Sequence, residues 1–142
     1  MTTFDRLSRL SPHEFSHPEM LDTRLLVMLD AMIVTETRYH PGLRFIVHSD
    51  YRPGDKGEHG MGRAIDGHFE VAGEALPVVL QFIMACRYSF SGIGMYPFWH
   101  VPGIHIDVRP RLMTDRKHMW WRTRDGEYKA IETYFEATSE CA

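Results

Sequence analysis

Long apolar runs, paired cysteines and a surplus of basic charge are all missing from this sequence. No stretch of about 18 consecutive apolar residues occurs, so no membrane-spanning helix is expected. The opening residues, MTTFDRLSRLSPHEF, contain no apolar segment of the secretory kind. The expectation is a chain made in the cytoplasm without a signal peptide. Only two cysteines are present, Cys86 in an apolar segment and Cys141 next to last. They form no disulfide framework and read as a small buried residue and a tail thiol, in a chain made in a reducing compartment. Lys and Arg number 16 against 19 Asp and Glu, for a formal net charge of -3, with no basic block. Nucleic acid is therefore not an expected partner.

What is present is one domain's worth of chain, residues 1–142, long enough for a single core. Turn and cap signals in SPHEFSHP (11–18) precede a helical period over residues 18–39, with Met20, Leu21, Leu25, Met28, Leu29, Met32 and Ile33 on one stripe. HPG stops it. LRFIVHS (43–49) has the length of a buried strand, DYRPGDKGEHGMG is a glycine-rich loop, and RAIDGHFEV returns to strand character. EALPVVLQFIMACRYS predicts a buried helix entered near Pro77. GIGMYP, GIHIDVR, HMWWRTR and EYKAIE follow as short strands, the last two joined by an Asp-Gly hairpin turn in RDGE. The fold class expected is α+β, with helices packed on one face of a mainly antiparallel sheet.

Polar residues concentrate in the loop before RAID and in GIHIDVR. Alternation on a strand puts His105, Asp107 and Arg109 on one face and Ile104, Ile106 and Val108 on the other. That combination describes the wall of a site. In EHGMGRAIDGHFE (58–70), Gly60 and Gly62 permit close backbone approach, His59 ends the loop and Asp66 begins the strand. Two imidazoles and a carboxylate with an open fourth position make a catalytic zinc arrangement, and no cysteine pair is available to close it.

Four motifs in order, SDYRP (49–53), HGMGRAID (59–66), GIGMYP (92–97) and HIDVR (105–109), resemble the zinc D-Ala-D-Ala carboxypeptidase family of peptidoglycan metallopeptidases. The same type of site belongs to LAS-type endopeptidases, VanX-type dipeptidases and the hedgehog domain. The resemblance covers roughly residues 11–130 and is greatest to the small phage and prophage subgroup. It implies a hedgehog or D-Ala-D-Ala-peptidase-like fold and zinc held by His59, Asp66 and His105. Arg52 would hold substrate and stabilise the oxyanion, and peptidoglycan stem peptides would be the partner. It further implies an endolysin-like route to the cell wall. Bond specificity and oligomeric state have no signature in the sequence.

One departure stands out. The family's acid/base lies three or two residues before the last histidine ligand, and those positions are Pro102 and Gly103. Hydrolysis still needs a proton acceptor. The candidates are Asp107, which could equally orient a ligand imidazole, together with Glu58 and His100. The alternative function is a non-catalytic zinc-binding structural or recognition domain of a phage particle. Among the other histidines, His13, His17, His40 and His118 read as surface or cap residues, and His48 as a hydrogen-bonded core residue. His68 shares the face of Asp66. Trp120 and Trp121 are expected to pack the β ribbon, with one of them flanking the groove, and Tyr96 to form core or groove wall.

Overall fold

The apolar stripe after residue 20 forms helix α1 (Thr23–Glu36) in a computed structural model that describes residues 1–112 and 115–140. The tail thiol expected at Cys141 lies outside the described residues. The helix is shorter than the 18–39 read from its period. Pro18–Met20 is a separate 3₁₀ turn, and the Asp22 side chain caps α1 by accepting the Arg24 N–H at 2.8 Å. At the other end, the Thr37 hydroxyl donates back to the Ile33 carbonyl, and HPG carries the chain away as a loop.

Strand β1 (Arg44–Ser49) leads through the long loop to β2 (Ala64–Val71) and a two-residue β3 (Glu74–Ala75). Ala72 and Gly73 join β2 to β3, both at positive φ as a type I′ turn requires. Helix α2 (Val78–Cys86) begins after Pro77, as expected, but Glu74 and Ala75 belong to β3 and not to the helix. Then come β4 (Gly92–Tyr96), β5 (Gly103–Asp107), β6 (His118–Arg122), β7 (Tyr128–Ala130) and α3 (Ile131–Glu140).

The sheet order is β1-β2-β5-β4-β6-β7, with β3 on β2. Every pair is antiparallel except β4 with β6. The fold is α+β with a mainly antiparallel sheet, as the patterning predicts. The RDGE hairpin is also present, with Gly126 at φ 85°. EYKAIE, however, is strand only to Ala130; Ile131 opens α3. Trp121 docks this helix, donating its indole N–H to the Thr133 hydroxyl at 2.8 Å and meeting the Tyr134 ring edge-on.

Alternation decides which side of the sheet the helices cover. Ile65 and Phe69 of β2, Ile93 and Met95 of β4, and Ile104 and Ile106 of β5 share one core cluster with residues of all three helices. The buried Gln81 of α2 ties this layer together. It accepts the Phe69 N–H at 2.8 Å and donates to the carbonyls of Leu76 and Pro102. The intervening residues, Asp66, His68, Tyr96, His105, Asp107 and Trp120, are left to the opposite face.

Candidate metal centre

The first histidine is set by its loop. Residues Glu58–Met61 form a 3₁₀ turn that buries His59. Glycine is required on both sides of it: a Cβ at Gly60 would collide with the Asp55 carbonyl, and one at Gly62 (φ 70°) with that of Met20. The His59 ring donates from Nδ1 to the Asp50 carbonyl at 2.7 Å. Its buried Nε2 makes no hydrogen bond and lies 3.1 Å from Asp66 Oδ2.

The other two come from paired strands. Asp66 of β2 and His105 of β5 are register partners, with His105 Nδ1 lying 2.8 Å from Asp66 Oδ1. One donor atom each of His59, Asp66 and His105 can be chosen so that all lie within 4.8 Å of one another. Among the described residues this is the only such group. It is buried, and it can hold a metal ion. The orphaned Nε2 of His59 and the nitrogen–oxygen donor set both fit a cation there.

Behind the group, Asp107 is wholly buried and lies 2.8 Å from His105 Nε2. Arg109 closes on the same carboxylate in a fork, its terminal nitrogen at 2.6 Å. A carboxylate on the far nitrogen of a ligand imidazole fixes its tautomer and orientation. The glycines of GIGMY create the necessary space: side chains at Gly92 and Gly94 would collide with the Asp107 carboxylate and the Trp120 ring. Trp120 in turn donates to the Tyr96 hydroxyl at 3.1 Å and supports the Arg109 guanidinium over its ring.

Protonation follows from these contacts. Burial opposes ionisation of Asp66, but the hydrogen bond with His105 and the neighbouring His59 ring outweigh it and hold the carboxyl below its usual range. Asp107 is treated the same way by burial, His105 and Arg109, with the same net direction. Burial alone would lower His105, yet its contacts with Asp107 and Asp66 raise it. Burial pushes Tyr96 well up, so it remains a phenol.

A cavity of about 690 Å³ opens over the group, lined by Arg52, Glu58, His59, Asp66, His105 and Trp120 among others. A second, of about 410 Å³, is lined by His48, Ser49, Trp99, His100, Val101 and again Asp66. Arg52 reaches Asp66 Oδ2 at 3.0 Å and is steadied by the Ser49 hydroxyl and Asp55. Glu58 is on the wall of the larger cavity, paired with Arg63 at 2.8 Å. His100 is exposed on the smaller one. The sequence-derived residues thus gather around Asp66, with Asp107 behind His105 and His100 off to one side.

Two histidines depart from their sequence reading. His48 is hydrogen-bonded, as expected, but it is not in the core: alternation from Phe45 puts it with Ile46 on the site face, exposed, just before the register slip that pairs Ser49 with Asp66. There its Nε2 lies 2.6 Å from His68 Nδ1, and His68 faces Glu70 at 3.4 Å. A side chain at Gly103 would crowd His68 and the Gly67 carbonyl. His118, expected on the surface, is exposed but also lines the larger cavity.

Set against models of known protein families, curated proteins and solved structures, the chain matches none of them.

Proposed function

We propose that this chain is a zinc metallopeptidase that hydrolyses D-alanine-containing bonds of peptidoglycan stem peptides. The observation that carries the reading is the convergence of His59, Asp66 and His105 under an open cavity, with Arg52 beside them. These are the residues, in the same order, that the resemblance to zinc D-Ala-D-Ala carboxypeptidases assigns to metal and substrate. Zinc bound there would polarise the scissile carbonyl and activate water.

The chain's own groups supply the rest. Arg52 is held by three partners yet remains exposed enough to meet negative charge developing on the substrate. Asp107 has its carboxylate occupied by His105 and Arg109 and no exposure to the cavity, so its role in this reading is to orient His105. Glu58, beside His59 on the cavity wall, is then the carboxylate best situated to accept a proton. His100, on the smaller cavity, is the remaining candidate.

Asp66 borders both cavities, which favours a peptide crossing the metal group over one that ends there. Cleavage within stems or cross-links follows, in the manner of an endolysin acting on the cell wall after release from a phage-infected cell. One observation favours the second reading, a non-catalytic zinc-binding structural or recognition domain of a phage particle. Pro102, at the family's acid/base position, only accepts from Gln81 through its carbonyl.

The deciding experiment is incubation of zinc-loaded protein with purified peptidoglycan, followed by mass spectrometry of the soluble fragments. Newly cut stems or cross-links support the endopeptidase. Free D-alanine with cross-links intact would make it a carboxypeptidase. No product from a fully zinc-loaded protein would leave the non-catalytic reading.

A further inference from the structure

The loop that carries His59 is braced from behind by the N-terminal segment, and one residue joins the two. Asp50 follows β1 and is only 3% exposed. Its backbone carbonyl accepts the His59 Nδ1–H. Its carboxylate accepts the backbone N–H groups of Ser16 at 2.7 Å and His17 at 3.0 Å. The His17 ring lies 3.5 Å from the other carboxylate oxygen and packs edge-on against Tyr51. A second tie lies a few residues on, where the Asp22 N–H donates to the Gly62 carbonyl at 2.8 Å.

The need for such an anchor is local. A carbonyl can hold an imidazole in one orientation only if its own peptide plane is fixed. The β1 ladder ends at Ser49, immediately after a bulge, and no longer fixes the plane at residue 50. Two charge-assisted hydrogen bonds to a buried carboxylate can do so. We propose that Asp50 is a positioning residue for the metal. Anchored on the N–H groups of residues 16 and 17, it sets the His59 tautomer that leaves Nε2 free for the ion. This rests on the metal-centre reading and does not depend on peptidase activity.

The test is titration of metal-free protein with zinc and with cobalt(II), against a competing chelator. Asp50→Ala is expected to bind both ions about 10–100-fold more weakly and to alter the cobalt absorption spectrum. Asp50→Asn, whose amide oxygen can still accept both N–H groups, should stay near wild type. Asp30→Ala is the matched control. Asp30 is also buried and accepts the N–H groups of Ser8, Arg9 and Leu10, but it holds no metal ligand. It should lose stability while keeping metal affinity, and equal loss of affinity in both alanine variants would overturn the proposal.

The wild-type chain offers a test that survives any folding failure. Coupling is reciprocal, so zinc must increase hydrogen-exchange protection of the Ser16 and His17 amides beyond that of Ser8 to Leu10. Equal protection at both places would also overturn it. A wild-type chain that binds neither ion fails differently, because it removes the metal-centre reading on which the proposal stands.

Discussion

His105 sits between two carboxylates, with Asp66 on one ring nitrogen and Asp107 on the other, and these two contacts have different consequences. Asp66 shares the cavity with His59, whereas Asp107 is sealed behind the ring by Arg109. Elemental analysis of His105→Ala and Asp66→Ala should therefore show most of the zinc lost, since each leaves only two protein ligands. Full retention in both variants would remove the assignment. Asp107→Asn should weaken metal binding and lower turnover about 10–100-fold without abolishing it, as expected when the group behind a ligand is altered. Glu58→Gln should keep its zinc and lose turnover more severely, about 100-fold or more. Chelator competition and steady-state rates on the two variants separate the roles, and the reverse pattern would make Asp107 the proton acceptor. The strand alternation made His105, Asp107 and Arg109 visible as one face. It could not show that the Asp107 carboxylate points behind the imidazole, because that depends on Gly92 leaving room on the neighbouring strand.

At the level of elements, the boundaries of α1 show how a short polar residue can override an apolar period. Met20 and Leu21 continue the hydrophobic stripe backwards, but Asp22 takes the N-cap and the chain before it turns off as 3₁₀. Burial works against the charge of Asp22, and the hydrogen bonds it receives from Arg24 more than compensate, so its pKa is lowered. A depressed carboxylate contributes stability above its unfolded pKa, near 3.8, that is lost as pH falls through the lower folded value. Asp22→Ala should cost about 1 kcal/mol in urea unfolding at pH 7, and the difference from wild type should shrink as pH falls below 3.8. A cost unchanged at low pH would show that the charge is not involved. Helix α3 is hidden for a different reason. Ile131, Tyr134 and Phe135 fall at helical spacing, but reading EYKAIE as one strand runs over the start of the helix, and its docking comes from Trp121 on another element. The parallel partnership of β4 and β6 was equally hidden, since nothing in either segment encodes its neighbour.

For the molecule as a whole, one face of the sheet is packed by helices and the other is left open. An ion on that open face would join the 3₁₀ turn Glu58–Met61 to strands β2 and β5, and thus segments distant in the chain. Zinc at 100 times its dissociation constant should stabilise the fold by about 2.7 kcal/mol, seen as a rise of about 5–10 °C in Tm. A chelator should reverse the shift, His59→Ala should abolish it, and a zinc-independent Tm would contradict the site. No helix among the described residues is long and apolar enough to cross a membrane. Local sequence determined the α1 and α2 segments, the alternating faces of β2 and β5 and the Asp-Gly hairpin. Each of those depends on residues within a few positions of one another, through period, capping or turn chemistry. Tertiary structure alone decided the strand order, the bulge that pairs Ser49 with Asp66, the burial of Asp107 and the anchoring of Asp50 on Ser16 and His17. Those depend on which backbone groups the ladder leaves unpaired and which side chains the neighbouring strands have room for, and these are set only when distant segments meet.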